Sequence, residues 1–305
     1  MTPAGPAGPD RRRELAGWVA ALSAVSMWSG WAVATRGTLR AYGGQLDIAD
    51  LMALRFLVAG VVVLPIAILY PPPLGRLGAW RSVAAACMGG LTFSLCNTGG
   101  LVFAPAAHGG ALTAPMGAVI TGLLAPFLLG ERLTGWRAAG LGLIVGGAVA
   151  LLAAVMSAGT PASVYIGHAL FLGAAVQWSL FIVLTRRAQL TPLESMVLAC
   201  VGSALIYLPF WLLLRGPGHL LAMPWTVLAV QGLLHGLVAQ TLSIVAFNFA
   251  VVRLGASRAA VCGALVPLLV ALGAALFLGE PPTPAELPGL AAISLGVWLA
   301  ARQRG

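Results

Sequence analysis

The segment Trp28-Ser29-Gly30-Trp31-Ala32-Val33-Ala34-Thr35-Arg36 returns as Trp178-Ser179-Leu180-Phe181-Ile182-Val183-Leu184-Thr185-Arg186, sharing Trp, Ser, Val, Thr and Arg at a shift of 150 positions. Outward from it the echo continues. Leu129-Gly130-Glu131 recurs as Leu278-Gly279-Glu280 at a shift of 149. Asp50, Met52, Leu54, Leu64 and Pro65 match Glu194, Met196, Leu198, Leu208 and Pro209 at a shift of 144, so the first copy carries the longer early loop. If each copy contributes five spans, an odd number, the two lie in a bilayer with opposite orientations, an arrangement typical of transporters.

Composition names the solvent. The 305 residues are 60% hydrophobic and 8% charged, with a mean hydropathy of +0.96, which is too apolar for a soluble domain. An ionised side chain at the bilayer centre costs at least about 2.5–3.5 kcal/mol, so the few charges mark the loops. Between them, apolar runs of roughly 17–25 residues fall at 16–35, 51–70, 83–104, 110–129, 136–156, 164–184, 195–214, 225–249, 257–278 and 286–301. These runs are continuously apolar rather than alternating, and a backbone in lipid must satisfy its own hydrogen bonds, so helices are expected and not a barrel. The predicted fold is all-α integral membrane: ten transmembrane helices forming two inverted five-helix repeats around a central cavity. The boundaries that follow are a disordered cytoplasmic tail at 1–15, a first repeat at 16–156, a linker at 157–163, a second repeat at 164–301 and a tail at 302–305.

The net charge of +9 is distributed by topology. With the N-terminus inside, Arg11, Arg12, Arg13, Arg76, Arg81, Arg132, Arg137, Arg186, Arg187, Arg253, Arg258, Arg302 and Arg304 are cytoplasmic; Arg36, Arg40 and Arg215 are outside, and Arg55 is within a span. Both copies obey the positive-inside rule only if they are inverted. The basic balance therefore points to a cell (inner or plasma) membrane protein with both termini cytoplasmic, not to a nucleic-acid partner. Arg11-Arg12-Arg13 before an apolar run resembles a secretory signal, but the run from Ala16 is too long for one and ends in the duplicated motif, so an uncleaved first helix is expected. Cys87, Cys96, Cys200 and Cys262 lie inside predicted helices without metal-ligand spacing and read as small apolar core residues.

The stretch from Arg253-Leu-Gly-Ala-Ser-Arg to Pro267, continuing to Leu278-Gly-Glu280, Gly289 and Gly296, resembles the C-terminal half of an EamA-type repeat of the drug/metabolite transporter superfamily. Leu129-Gly-Glu-Arg-Leu133 with Gly140 and Gly147 resembles the same element in the first half, and Leu54-Arg55-Phe56 resembles that family's second helix. The resemblance implies a ten-helix carrier with a central cavity, commonly an exporter of amino acids or other small metabolites. The first half departs from the pattern, with Ala118 opposite Pro267 and a proline at Pro115 instead, so bends at different depths are expected in the fourth and ninth helices.

Polar side chains in hydrocarbon face another helix or a water-filled space, and those near the midplane are Asn97, Thr98, Gln177, His235, Gln240 and Ser243. Trp28 and Trp178 also lie deep in their helices, away from the interfacial belts where Trp is enriched. They read either as symmetric walls of one cavity or as core packing. The candidate substrate contacts are accordingly Trp28, Asn97, Thr98, Gln177, Trp178, His235 and Gln240. His235 is either a proton carrier that couples transport to the pH gradient, or a neutral ring bonded to a helix carbonyl or to Gln231. Arg55, whose counterpart is Ala199, either meets an anionic substrate group or snorkels outward to Asp50 or Asp47, the cheaper arrangement near a helix end. Glu131 and Glu280 end the fourth and ninth helices as loop anchors near helix starts, where a carboxylate is favoured. Gly142 with Gly146, and Ala292 with Gly296, have the small-xxx-small spacing of close helix contacts, made within the scaffold or with a second protomer in a homodimer.

Enzyme signatures are absent: no His-Glu-x-x-His, no Gly-x-Ser-x-Gly, no phosphate-cradling loop and no lysine. No cofactor or metal is implied. The expected function is a secondary transporter, an exporter of amino acids or amphiphilic compounds by alternating access, with proton coupling open. A nucleotide-sugar or phosphorylated-metabolite carrier would call for several cavity cations where Arg55 stands alone. A channel would need a continuous polar stripe, and a membrane enzyme an acid, base or nucleophile set at one interface. The expected partners are a small-molecule substrate and the lipid bilayer.

Overall fold

A computed structural model describes residues 11–130 and 133–301, which are helical or in turns, with no strand among the described residues. The long helices are α1 (Arg11–Tyr42), α2 (Ile48–Leu69), α3 (Ala79–Phe103), α4 (Ala106–Leu128), α5 (Gly135–Ser157), α6 (Ser163–Arg187), α7 (Pro192–Leu214), α8 (Trp225–Leu254), α9 (Arg258–Leu278) and α10 (Leu287–Ala301). Single helical turns at Leu74–Leu77 and Gly218–Leu221 sit in loops.

Eight of these, α2 to α9, are long and apolar enough to cross a membrane. The two outer members of the predicted ten differ. α10 has 15 residues, about 22 Å at the usual helical rise, short of a hydrocarbon core of about 30 Å. α1 has 32 residues and carries Arg11, Arg12, Arg13 and Glu14 at one end and Arg36 and Arg40 at the other. Its first turns extend into the stretch read from sequence as a tail.

Local chemistry sets the helix ends. Asp47 caps α2 by accepting from the Ala49 and Asp50 amides, and Thr191 with Glu194 forms a capping box ahead of Pro192 at the start of α7. α9 stops at Gly279, whose φ of +64° is the left-handed conformation that glycine adopts without strain; Gly130 repeats it at +69°. The chain is thereby turned to present Glu280, whereas Glu131 lies outside the described residues. Proline acts differently in the two halves: α4 runs unbroken through Pro115, without the bend expected from sequence, while α9 tightens to a 3₁₀ turn at Gly263–Leu265 ahead of Pro267.

Helix pairing obeys an exchange of halves. α4 packs on α6 as α9 packs on α1; α3 packs on α6 as α8 packs on α1; α2 meets α8 as α7 meets α3; and α5 pairs with its own equivalent, α10. Positions 21–30 and 171–180 even follow the same order of buried and exposed residues. Equivalent helices also reach a given end of the bundle by opposite termini. The C-terminal part of α1, bearing Arg36, and the N-terminal part of α6, bearing His168, belong to the same end, as do the C-terminus of α9 and the N-terminus of α4. The copies are inverted.

The α5–α10 seam rests on Gly140, Gly147, Gly289 and Gly296, again spaced 149 apart. A Cβ on Gly147 would lie 2.8 Å from the Gly289 carbonyl oxygen, and one on Gly296 2.8 Å from that of Gly140. The pair expected from sequence, Gly142 and Gly146, instead faces open space. Helical phase explains this, since Gly140 and Gly147 are two turns apart on one face. Gly147→Leu is expected to cost about 3 kcal/mol or more through overpacking against backbone that cannot yield. Gly146→Leu should leave the thermal unfolding midpoint of the purified protein nearly unchanged.

Candidate functional site

An enclosed polar group lies where α1, α2 and α8 meet. Trp31 Nε1 donates to His235 Nδ1 at 3.1 Å. An indole N–H can only donate, so Nδ1 is an acceptor and the neutral ring carries its hydrogen on Nε2. That nitrogen faces Thr35 Oγ1 at 3.5 Å, whose own hydrogen goes to the Trp31 carbonyl at 2.7 Å. The Arg55 guanidinium lies over the Trp31 ring, 5.2 Å from its centroid, and Nη2 donates to Gln240 Oε1. Gln240 Nε2 reaches Cys200 Sγ at 3.6 Å. His235 is fully buried, and Arg55 and Gln240 are each 5% exposed.

α8 delivers both His235 and Gln240 from a stretch, Leu233–Leu242, wound with i→i+5 hydrogen bonds, a rare form concentrated at functional positions. Gly236 within it lets α8 close on α2, where a Cβ would lie 2.6 Å from Val58 Cβ. α3 and α7 carry shorter segments of the same kind, Cys87–Leu91 and Leu198–Gly202.

The corresponding place in the other copy is apolar. Phe181, the counterpart of Trp31, packs against Gly89 of α3, where any Cβ would overlap its ring, and Ala199 stands where Arg55 does. The polar cluster, built by α1 and α2 of the first repeat and α8 of the second, is thus not repeated at the symmetry-related place.

The other sequence candidates are distributed differently. Gln177 accepts from Thr92 Oγ1 and donates to Cys96 Sγ at 3.2 Å, tying α6 to α3. Asn97 accepts from Thr113 Oγ1 at 3.0 Å, and Thr98 is buried with its hydroxyl unpartnered. Ser243 turns back on the Ala239 carbonyl. Trp28 packs on Phe247 of α8 and Trp178 on Phe93 of α3 and on Phe181, equivalent contacts in separate apolar clusters. His235 bonds neither to a helix carbonyl nor to Gln231, the two alternatives for a neutral ring: its nitrogens meet Trp31 and Thr35, and Gln231 donates to Thr38. Nor does Arg55 snorkel: Arg215 engages Asp47 at 2.5 Å and Asp50 at 3.6 Å. Cys200 and Cys262 are buried, whereas Cys87 and Cys96 are partly exposed.

Sequence reasoning missed Trp31 and Thr35, although both lie in the opening segment. For Trp31 the available signal was difference between copies, because Trp31 aligns with Phe181 as Arg55 does with Ala199; Thr35, repeated as Thr185, carried no such signal. It also missed a chain of contacts at the Arg36 end. There His168 Nε2 and His108 Nδ1 are 2.9 Å apart, and His108 Nε2 lies 3.3 Å from Glu286 Oε1. The His108 bond is the chief reason the Glu286 carboxyl sits below its usual range, against burial, with the Thr283 amide helping. Beside it, Glu280 joins Arg36 at 3.0 Å and also Arg40, while Arg36 Nη1 donates to the Leu101 and Val102 carbonyls at 2.7 and 2.9 Å.

One groove of about 370 Å³ lies between α1 and α9, lined by Ser26, Ser29, Gly30 and Phe277, and another of about 450 Å³ between the start of α2, α3 and α6. Neither reaches Arg55 or His235. The central cluster is enclosed in this conformation.

The family model described as "EamA-like transporter family" matches residues 15–153 and 165–302. A protein of Pseudomonas aeruginosa described as uncharacterized is 32% identical over 298 residues, covering 95% of each chain. A solved structure titled only as the crystal structure of a protein superposes with a TM-score of 0.58 over 95% of this chain and 97% of that one, at 19% identity. At that identity the likeness is one of fold.

Proposed function

The chain belongs to the EamA-like transporter family, whose unit it contains twice, and from that premise we propose that it is a secondary carrier that moves a small organic metabolite by alternating access through the space between its inverted halves. In this reading all ten long helices cross the cell membrane, both termini are cytoplasmic, and the Arg36–Glu280 end faces outward, closed. Export is part of this proposal, with the direction of net flux set by the gradients across the membrane.

The observation that carries the reading is the enclosed cluster of Trp31, Thr35, Arg55, His235 and Gln240, placed where the two halves meet within the bundle and not repeated at the symmetry-related place. A scaffold with no cargo has no use for such a group, since polar atoms within a bilayer are costly and mark function. A pore would show the group in a continuous open path. Alternating access instead requires a site shut from both faces at some stage of the cycle, as here. His235 is read as a positioning residue, because both of its ring nitrogens are engaged and no carboxylate lies in the cluster to share a proton.

Reconstitution tests the proposal. Proteoliposomes preloaded with single members of a panel of amino acids, organic acids and amphiphilic amines are expected to show counterflow of radiolabelled substrate for at least one class. Absence of counterflow for every class, with folded protein in the vesicles, would count against a carrier.

A further inference from the structure

We propose that the cargo carries a carboxylate and that Arg55 is its anchor, an inference that rests on the carrier reading above. Arg55 is 5% exposed, and its Nε and Nη1 are buried with no acceptor among the described residues. Its one hydrogen-bond partner is the neutral Gln240 amide, and its neighbour is the face of Trp31. The acids that precede it on α2, Asp47 and Asp50, are engaged by Arg215. A guanidinium in such surroundings is normally paired.

An unpaired buried cation with spare donors is what an anionic ligand completes. Guanidinium and carboxylate match in shape and charge, and their hydrogen bonds are the strong, charge-assisted kind. A phosphate, nearly doubly charged, would call for a second cation, and the cluster has only Arg55. An ammonium would call for an acid, and the cluster has none. In this enclosed arrangement the Gln240 oxygen serves as a weak neutral substitute for the cargo. Gln240 sits on the i→i+5 stretch of α8, so a helix with a loosened hydrogen-bond ladder carries the residue that must give way when a carboxylate enters.

The test uses the full-length purified protein and follows thermal unfolding with a matched probe set: 3-phenylpropionate, its neutral amide, phenethylamine, and straight-chain carboxylates from acetate to octanoate. For the native chain, at least one carboxylate should raise the midpoint in a saturable way, and the amide and amine should not. Arg55→Gln should weaken that carboxylate's apparent affinity about 10–100-fold, the range for a charged hydrogen-bonding group, and Arg55→Lys should recover part of it. Because Arg55→Gln removes an uncompensated charge, its midpoint without ligand should not fall below the native one. Gln240→Glu supplies an internal counter-ion, and should stabilise the empty protein while abolishing the carboxylate response even if the Arg55 variants fold poorly.

No response to any carboxylate overturns the inference, as does a response that survives in both Arg55→Gln and Gln240→Glu, or one to the amine alone. Counterflow of amines unaffected by Arg55→Gln would end this inference and leave the carrier reading standing.

Discussion

Glu280→Gln is expected to release the closed end of the carrier, shifting the ratio of open to closed forms by about two orders of magnitude. Glu280 is turned inward by the left-handed Gly279 and joins Arg36 of α1 at 3.0 Å. Its second oxygen accepts from the Ala106 amide at the start of α4, at 3.4 Å. Arg36 in turn holds the last carbonyls of α3. One carboxylate therefore fastens α1, α3, α4 and the end of α9. The Arg36 and Glu280 side chains are only 12% and 10% exposed, so losing the charge of one strands the other in a poorly solvated place. Breaking a buried pair in this way costs about 3–5 kcal/mol. Arg40, 47% exposed, can turn to water, which places the expected cost near about 3 kcal/mol, or about a hundredfold in population. Spin labels at Tyr42 and Phe103 would report a longer, broader distance distribution in Glu280→Gln, and an intermediate one in Glu280→Asp. Identical distributions in all three proteins would mean that closure is held elsewhere.

His235→Ala is expected to lower unfolding stability by about 3–5 kcal/mol and to silence transport. The ring is fully buried, so its loss leaves a cavity of the kind that costs about 2–5 kcal/mol. It also strands the Trp31 N–H, at about 1–3 kcal/mol, though the two effects overlap. Trp31 would then no longer be fixed beneath Arg55. His235→Gln offers an amide oxygen to the same N–H, and should keep most of the stability and at least part of the transport. The pair also decides between the two roles open to this histidine. As a positioning residue, His235→Gln leaves the ratio of pH-gradient-driven transport to downhill exchange unchanged. If driven transport vanishes while exchange persists, His235 is the proton carrier.

What can be read from the linear sequence and what cannot divide along a physical line. Residues repeated in both halves, such as Trp28 and Trp178, or the Leu-Gly-Glu elements, mark packing that the pseudo-symmetry uses twice. Repetition therefore discloses the duplication and inversion, and the apolar runs disclose the approximate helix limits. Helix ends are less legible where charge and length disagree: α1 extends well past its apolar run at both ends, whereas α10 keeps the limits of its run to within one residue.

Two residues of the candidate site lie where the halves differ. Trp31 against Phe181 and Arg55 against Ala199 are visible in the sequence as mismatches, but which mismatch is enclosed and which faces lipid depends on helix rotation. The α5–α10 seam makes the same point, because Gly140 and Gly147, not Gly142 and Gly146, point at the partner helix. Contacts between distant segments, such as His108 with His168 and Glu286, leave no local pattern at all.

The central claim is that two equivalent five-helix units cross the membrane in opposite directions and share one path. It is tested most directly by placing single cysteines at Ala158, in the turn after α5, and at Arg187, at the end of α6, in intact cells. A membrane-impermeant maleimide should label Ala158→Cys from outside and reach Arg187→Cys only after the membrane is opened. Labelling of both positions from the same side would contradict the account.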